Sequence, residues 1–110
     1  MANKKTGSKK VYVASYHFAD RHGDSGNDVI GVYPTKEKAE KACGDNIEEY
    51  LDDFDAIKKD KTIDTDRIHS IDGEMVSEGL TLAQARKATC IDVDDGGTWC
   101  RWSIRAKKAV

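Results

Sequence analysis

Two segments near the end of the chain, Cys90–Val93 and Thr98–Ala106, most narrowly restrict what this sequence can fold into. They flank Asp94-Asp95-Gly96-Gly97, a turn-forming sequence that predicts a β-hairpin. If Asp94 pairs with Gly97, one face collects Ile91, Val93, Cys100, Trp102 and Ile104. The other face then collects Cys90, Asp92, Trp99, Arg101 and Ser103. A slip by one residue would mix apolar and charged side chains on both faces, so we predict the first register.

The same register predicts the state of the cysteines. Cys90 and Cys100 would lie on opposite faces of the hairpin, which argues against a disulfide between them. The chain has 3 cysteines, an odd number, with no CxxC pair. We therefore expect free thiols and no zinc site built from cysteines.

The first half of the chain has the pattern of a β-β-α unit. Strands are predicted at Val11–Phe18 and Asp28–Tyr33, joined by a long polar loop from Ala19 to Asn27. Thr35 is a good N-cap for the helix that follows. Its core-facing stripe recurs at helical spacing and comprises Ala39, Ala42, Ile47, Tyr50, Leu51 and Phe54. Gly44 interrupts that stripe and predicts a bend or an early break.

The middle of the chain is less regular. Residues 55–80 have isoleucines at uneven spacing, which allow a short strand near Arg67–Ile71 and a turn at Asp72-Gly73. Thr81 and Gln84 then match a capping box that begins a helix running to about Ala88. We expect an α+β domain over residues 11–110, a mostly antiparallel sheet of four or five strands with helices on one face, preceded by a disordered basic tail over residues 1–10.

The segment DVIGVYPTKEKAEKA, Asp28 to Ala42, resembles a pattern in small uncharacterised phage, prophage and bacterial proteins. In that pattern a strand ending in Gly-Val-Tyr/Phe is followed by Ser/Thr-x-Glu-x-Ala at the start of a helix. The resemblance covers residues 11–54. The resemblance implies a β-β-α unit and identifies no catalytic residues.

Composition excludes several classes of protein. No apolar run approaches the roughly 18 residues of a membrane span, and no secretory signal is recognisable, so we expect a cytoplasmic protein. The net charge of −2 excludes a strongly basic or acidic protein as a whole. We expect no cofactor, no metal and no enzyme activity, since no nucleophile elbow or phosphate loop is present.

One loop nevertheless collects possible metal ligands, namely His17, Asp20, His22, Asp24 and Asp28. Their order fits neither an EF-hand loop nor an HExxH helix. Because Asp, Asn and Gly are also the residues that turns require, turn formation is the favoured interpretation.

Two features point to binding. The first is an acidic run without a cation on the predicted first helix, comprising Asp45, Glu48, Glu49, Asp52, Asp53 and Asp55. Lysines 36, 38 and 41 lie at the N-terminal end, although the helix dipole favours the opposite distribution of charge. A charge distribution that opposes the helix dipole is a candidate for a functional role. The alternative is a solvated acidic face whose small cost in stability the fold tolerates.

The second feature is the last strand, where Trp99, Arg101 and Arg105 alternate along one face. If Trp99 is exposed beside the arginines, it could stack on a base or anchor a partner. If a helix covers it, Trp99 is part of the hydrophobic core.

These features support two functional hypotheses. The favoured one is a non-catalytic module whose acidic helix face binds a protein with a cationic surface, as a phage-encoded inhibitor of a host defence system would. The alternative is a nucleic-acid-binding module that uses the basic tail and the strand of Trp99, Arg101 and Arg105.

Overall fold

The fold is α+β, an antiparallel sheet of six strands with two helices, seen in a computed structural model that describes residues 10–93 and 97–108. The elements in chain order are β1 (Lys10–Ala19), β2 (Ser25–Tyr33), α1 (Lys36–Asp53), β3 (Ser70–Ile71), β4 (Glu74–Met75), α2 (Leu82–Ala85), β5 (Cys90–Asp92) and β6 (Trp99–Lys108). The predicted basic tail lies outside the described residues apart from Lys10, the first residue of β1. Most of the predicted turn of the last hairpin, residues 94–96, lies outside them too.

The strand order is β2-β1-β6-β5-β3-β4, so the prediction of four or five strands was too low. The difference arises from the β3–β4 hairpin, which forms in the irregular stretch of the sequence. Its turn is Asp72-Gly73, as predicted, and both residues have a positive φ, 53° and 84°. Such a two-residue turn matches the twist of paired strands. The Asp72 carboxylate also accepts hydrogen bonds of 2.8 Å from the backbone N–H groups of Thr89 and Cys90, which ties this turn to the start of β5.

The longest pairing joins β1 to β6, from Lys10 opposite Lys108 to Ala19 opposite Trp99. Side chains alternate across this pair and define two faces. On what we call the helix face, Ala14, Cys100 and Trp102 are buried and α1 packs over them. On the other, the open face, many side chains are exposed, among them His17, Val32 and Arg105.

The predicted register of the last hairpin is confirmed. Ile91 pairs with Cys100 and Cys90 with Arg101, and the N–H of Val93 donates to the carbonyl of Thr98 at 2.8 Å. Ile91, Cys100 and Trp102 are buried together, as the separation of apolar from polar side chains requires. All three cysteines are free thiols, as predicted.

Helix α1 begins as predicted, because the hydroxyl of Thr35 accepts a hydrogen bond from the Lys38 N–H at 3.2 Å. The predicted break at Gly44 is wrong: the helix continues through this residue, which is buried. Phe54 was placed on the buried stripe but lies at the C-cap, 36% exposed. No helix among residues 10–93 and 97–108 is long and apolar enough to cross a membrane.

Helix α2 has the predicted capping box, in which Thr81 accepts from the Gln84 N–H and the Gln84 side chain accepts from the Thr81 N–H. It ends at Ala85, three residues before the predicted end. Leu82 and Ala85 are buried in the core, so one helical turn is enough to cover its side of α1.

The two tryptophans of β6 differ in burial, Trp102 being buried in the core and Trp99 half-buried on the open face, which predicts unequal losses of stability on truncation. Trp102 is 3% exposed, donates its indole N–H to the side-chain Oδ1 of Asn46 at 2.8 Å and meets the Tyr50 ring edge to face. Trp102→Ala should lower the free energy of unfolding by about 3–5 kcal/mol, as truncations of core aromatics do. Trp99→Ala should cost less, about 1–2 kcal/mol, since its ring is half-buried on the open face against His17 and Arg101. Urea denaturation of both variants tests this, and equal losses would contradict the assignment of the two faces.

Candidate functional site

The acidic run of α1 is partly neutralised by a cation from elsewhere in the chain. Arg86, at the C-cap of α2, donates to the carboxylates of Asp45 at 2.6 Å and Glu48 at 2.7 Å. Lys41 also pairs with Asp45, at 3.1 Å. The hydrogen bonds from Arg86 and Lys41 lower the pKa of the Asp45 carboxyl. The run itself contains no cation, but α2 folds back onto α1 and brings Arg86 to two of its carboxylates.

Gly44 explains how Arg86 reaches both carboxylates. A Cβ atom at residue 44 would lie 3.1 Å from the nearest guanidinium nitrogen of Arg86, so the missing side chain leaves room for that group. The glycine that reads in the sequence as a helix breaker is thus the place where a side chain from α2 docks.

The remaining acidic residues differ in their surroundings. Glu49 and Asp52 line a groove together with Lys58, Lys59 and Lys61 from the segment after the helix. Asp53 and Asp55 lie outside that groove. None of these four carboxylates makes an ion pair within residues 10–93 and 97–108. We call Glu49, Asp52, Asp53 and Asp55 the acidic end of α1.

The open face carries the second predicted feature. Trp99 contacts the His17 ring at a centroid distance of 5.3 Å, and the Arg101 guanidinium carbon lies 5.3 Å from the Trp99 ring centre. His17 is directly opposite Arg101 in the β1–β6 ladder, which brings the three planar groups together. We call His17, Trp99 and Arg101 the aromatic cluster. His17 lies within β1, as the predicted strand Val11–Phe18 requires.

Positive charge continues from the aromatic cluster along β6. Arg105 and Lys107 project on the same face, and the open-face positions of β1 and β6 hold no carboxylate. Asp92 on β5 is the carboxylate beside Trp99. At the far end of the ladder Lys10 pairs with Lys108, the neighbour of Lys107 in the strand. Val13 and Val32 are paired neighbours there.

The other candidate chemistries fit the structure poorly. The Asp20 carboxylate accepts from the backbone N–H groups of His22 and Asp24 at 2.9 and 3.1 Å, so it stabilises the β1–β2 turn. No three His, Cys, Asp or Glu side chains of the described residues converge as a metal site would require. Burial raises the pKa of Cys43, and raises that of Cys100 to about 12, so neither is a ready thiolate.

The docking of Arg86 against Gly44 can be tested by a double-mutant cycle. Replacing a helical glycine with alanine favours the helix by about 0.5–1 kcal/mol. In the Arg86→Ala background Gly44→Ala should show this gain, because nothing then occupies the space. In the wild type the new methyl group would displace the guanidinium, and the gain should shrink or reverse. Urea denaturation of the four proteins measures the coupling, and an equal effect of Gly44→Ala in both backgrounds would exclude the proposed docking.

Comparison with known proteins adds no relative. No family model matches the chain, and no match was found among curated proteins or among solved structures.

Proposed function

We propose that the protein is a non-catalytic binding module that holds single-stranded nucleic acid on the open face of its sheet. The observation that carries this proposal is the aromatic cluster, placed in line with Arg105 and Lys107 along β6. Indole, imidazole and guanidinium groups are the planar side chains on which unpaired bases stack. The two cations beyond them suit the phosphates that follow such a base. The lysine-rich start of the chain would add to the same positive end.

A single strand fits this surface better than a duplex does. Bases in a duplex are stacked on each other, so they cannot stack on Trp99 unless the helix opens. The structure presents a sheet surface, while the major groove of DNA is usually entered by a helix or a narrow two-stranded ribbon. Serine side chains occupy the middle of the open face, where Ser15 and Ser103 are 3.2 Å apart, and they leave space above the strands.

The proposal predicts salt-dependent binding of a fluorescein-labelled oligothymidylate, measured by fluorescence anisotropy. Trp99→Ala should weaken binding about 5- to 100-fold, the range expected when one stacked base loses its platform. Arg105→Gln should reduce the slope of log K against log salt by about 0.7, the value for one phosphate contact of a single strand.

Lys36→Gln is the matched control, because it removes the same charge at the exposed start of α1, away from the open face. It should leave both the affinity and the slope close to those of the wild type. Absence of binding by the wild type at low salt, or equal effects of Arg105→Gln and Lys36→Gln, would contradict the proposal.

The second candidate function is the binding of a cationic protein surface by the acidic end of α1, as an inhibitor encoded by a phage would do. It is supported by the carboxylates that make no ion pair in the described residues and by the last turn of α1, which has no basic residue. We rank it below the open face because Arg86 pairs with Asp45 and Glu48, the other carboxylates of the acidic run, and because lysines of the neighbouring groove lie beside Glu49 and Asp52. In this mode substitution of Asp53 and Asp55 would slow association with the partner.

Binding by the acidic end of α1 assumes that these carboxylates lower the stability of the fold and are kept for their role in binding. Asp53→Asn should therefore raise the free energy of unfolding by about 0.3–1 kcal/mol, because an anion is removed from the negative end of the helix dipole. Glu37→Gln is the control of opposite sign, since Glu37 lies in the first turn, where a negative charge is favourable. Urea denaturation compares the two variants. A loss of stability in Asp53→Asn would show that the fold uses this carboxylate, and the argument for function would fail.

A further inference from the structure

The last six residues of β6, Ser103–Lys108, form a strand edge in the middle of the sheet that no strand covers within residues 10–93 and 97–108. β6 is ten residues long and pairs with β1 along its whole length. On its other side β5 pairs with Trp99, Cys100 and Arg101 alone, because β5 is three residues long. We call Ser103–Lys108 the free edge.

The direction of the backbone groups follows from the ladder. The backbone groups of Thr98 and Trp102 point to the side of β6 on which β5 lies. The Thr98 carbonyl accepts a hydrogen bond from the Val93 N–H, and the Trp102 N–H donates to the Thr89 carbonyl at 2.7 Å. Direction alternates along a strand, so the N–H and C=O groups of Ile104, Ala106 and Lys108 point the same way. Within the described residues no hydrogen bond satisfies them on that side.

A groove of about 750 Å³ lies beside the free edge, between β6, the first half of α1 and the end of α2. Its inner wall is apolar, formed by Cys43, Gly44, Ala88, Trp102 and Ile104. Its charged lining residues are Lys41, Arg86 and Lys87, with Glu40 as the one carboxylate. A strand added to the free edge would thus place every second side chain toward this apolar wall.

We propose that the free edge and its groove bind an extended peptide of a partner protein that alternates apolar and acidic residues. Addition of a strand to a sheet edge next to a helix is a recurring mode of peptide recognition. Apolar side chains of the peptide would enter the groove beside Ile104. The intervening side chains would lie on the open face beside Arg105 and Lys107, which selects carboxylates.

Charge repulsion excludes two other occupants of the free edge. A second copy of the chain pairing through its own free edge would set Arg105, Lys107 and Lys108 against the same cations. The N-terminal segment of this chain contains Lys4, Lys5 and Lys9, so its charge has the wrong sign as well. The acidic peptide is the occupant whose charge is complementary.

The probe for this site is a peptide labelled at its N-terminus, fluoresceinyl-Glu-Val-Glu-Val-Glu-Val-amide, titrated with the full chain by fluorescence anisotropy. We expect saturable binding, and none by the peptide with lysine in place of glutamate. In an antiparallel addition, like every other pair of this sheet, the valine amides face β6. N-methylation of the valine amides should therefore weaken binding at least tenfold, while N-methylation of the glutamate amides should leave it within about twofold.

Ala106→Pro tests the protein side. Ala106 is exposed and its N–H points to the free edge, so proline there removes one donor and blocks the edge without breaking a bond to β1. We expect at least a tenfold loss of peptide binding, with Ala106→Ser as the control that keeps the N–H group. Oligothymidylate binding should persist in Ala106→Pro because the aromatic cluster is unchanged. This separates a failure at the free edge from a failure of the proposed function.

Three results would overturn the proposal. The first is an equal response to both N-methylated peptides. The second is full peptide binding by Ala106→Pro, with its fold verified by circular dichroism. The third is a dimer of the wild type, seen by light scattering, that Ala106→Pro dissociates, because the free edge would then be occupied by a second copy.

Discussion

The pairing of β1 with β6 is the constraint on which the rest of the structure depends. It joins the first and the last described strands over ten residues and so aligns the helix face and the open face along their full length. α1 packs on one side of this pair, and β2 extends it on the other edge. The short strand β5 pairs with the first three residues of β6, and β3 and β4 extend the sheet from β5. Both proposed surfaces are consequences: the aromatic cluster arises because His17 is opposite Arg101, and the free edge because β5 ends early.

The contacts of α1 show how a local rule can be overridden by a distant residue. Gly44 weakens the helix by its propensity, yet the space above it admits the guanidinium of Arg86. That group satisfies two carboxylates, which would otherwise repel each other one turn apart. The apparent reversal of charge along α1 is therefore smaller in the folded protein than along the sequence. What remains is the acidic end, where the chain turns away through Asp55 at a φ of 57°.

Features determined by neighbours in the sequence could be predicted from it. The register of the last hairpin, the Thr35 cap, the Thr81–Gln84 capping box and the Asp72-Gly73 turn all depend on residues within a few positions of each other. The β1–β6 pairing and the bonds from Arg86 to α1 could not be predicted, because no local pattern marks a partner 38 or more residues away. Strand count failed for a related reason: two-residue strands carry too few side chains to show an alternation. The alternation of Trp99, Arg101 and Arg105 was visible in the sequence, whereas the contribution of His17 from β1 was not.

The position of β6 in the chain has a consequence for how the protein is made. A ribosome completes β1, β2 and α1 well before it reaches β6, so these elements emerge while the central neighbour of β1 does not yet exist. During that interval α1 can pack on β1 and β2, but side chains that later surround Trp102, such as Tyr50, still lack that contact. Contacts between distant parts of a chain form slowly because closing a long loop reduces chain entropy before any contact compensates. The nascent chain therefore lacks the central neighbour of β1 until β6 has been made, and a premature stop shortly before Trp99 would release a chain with an exposed edge on β1 and without Trp102 in its core.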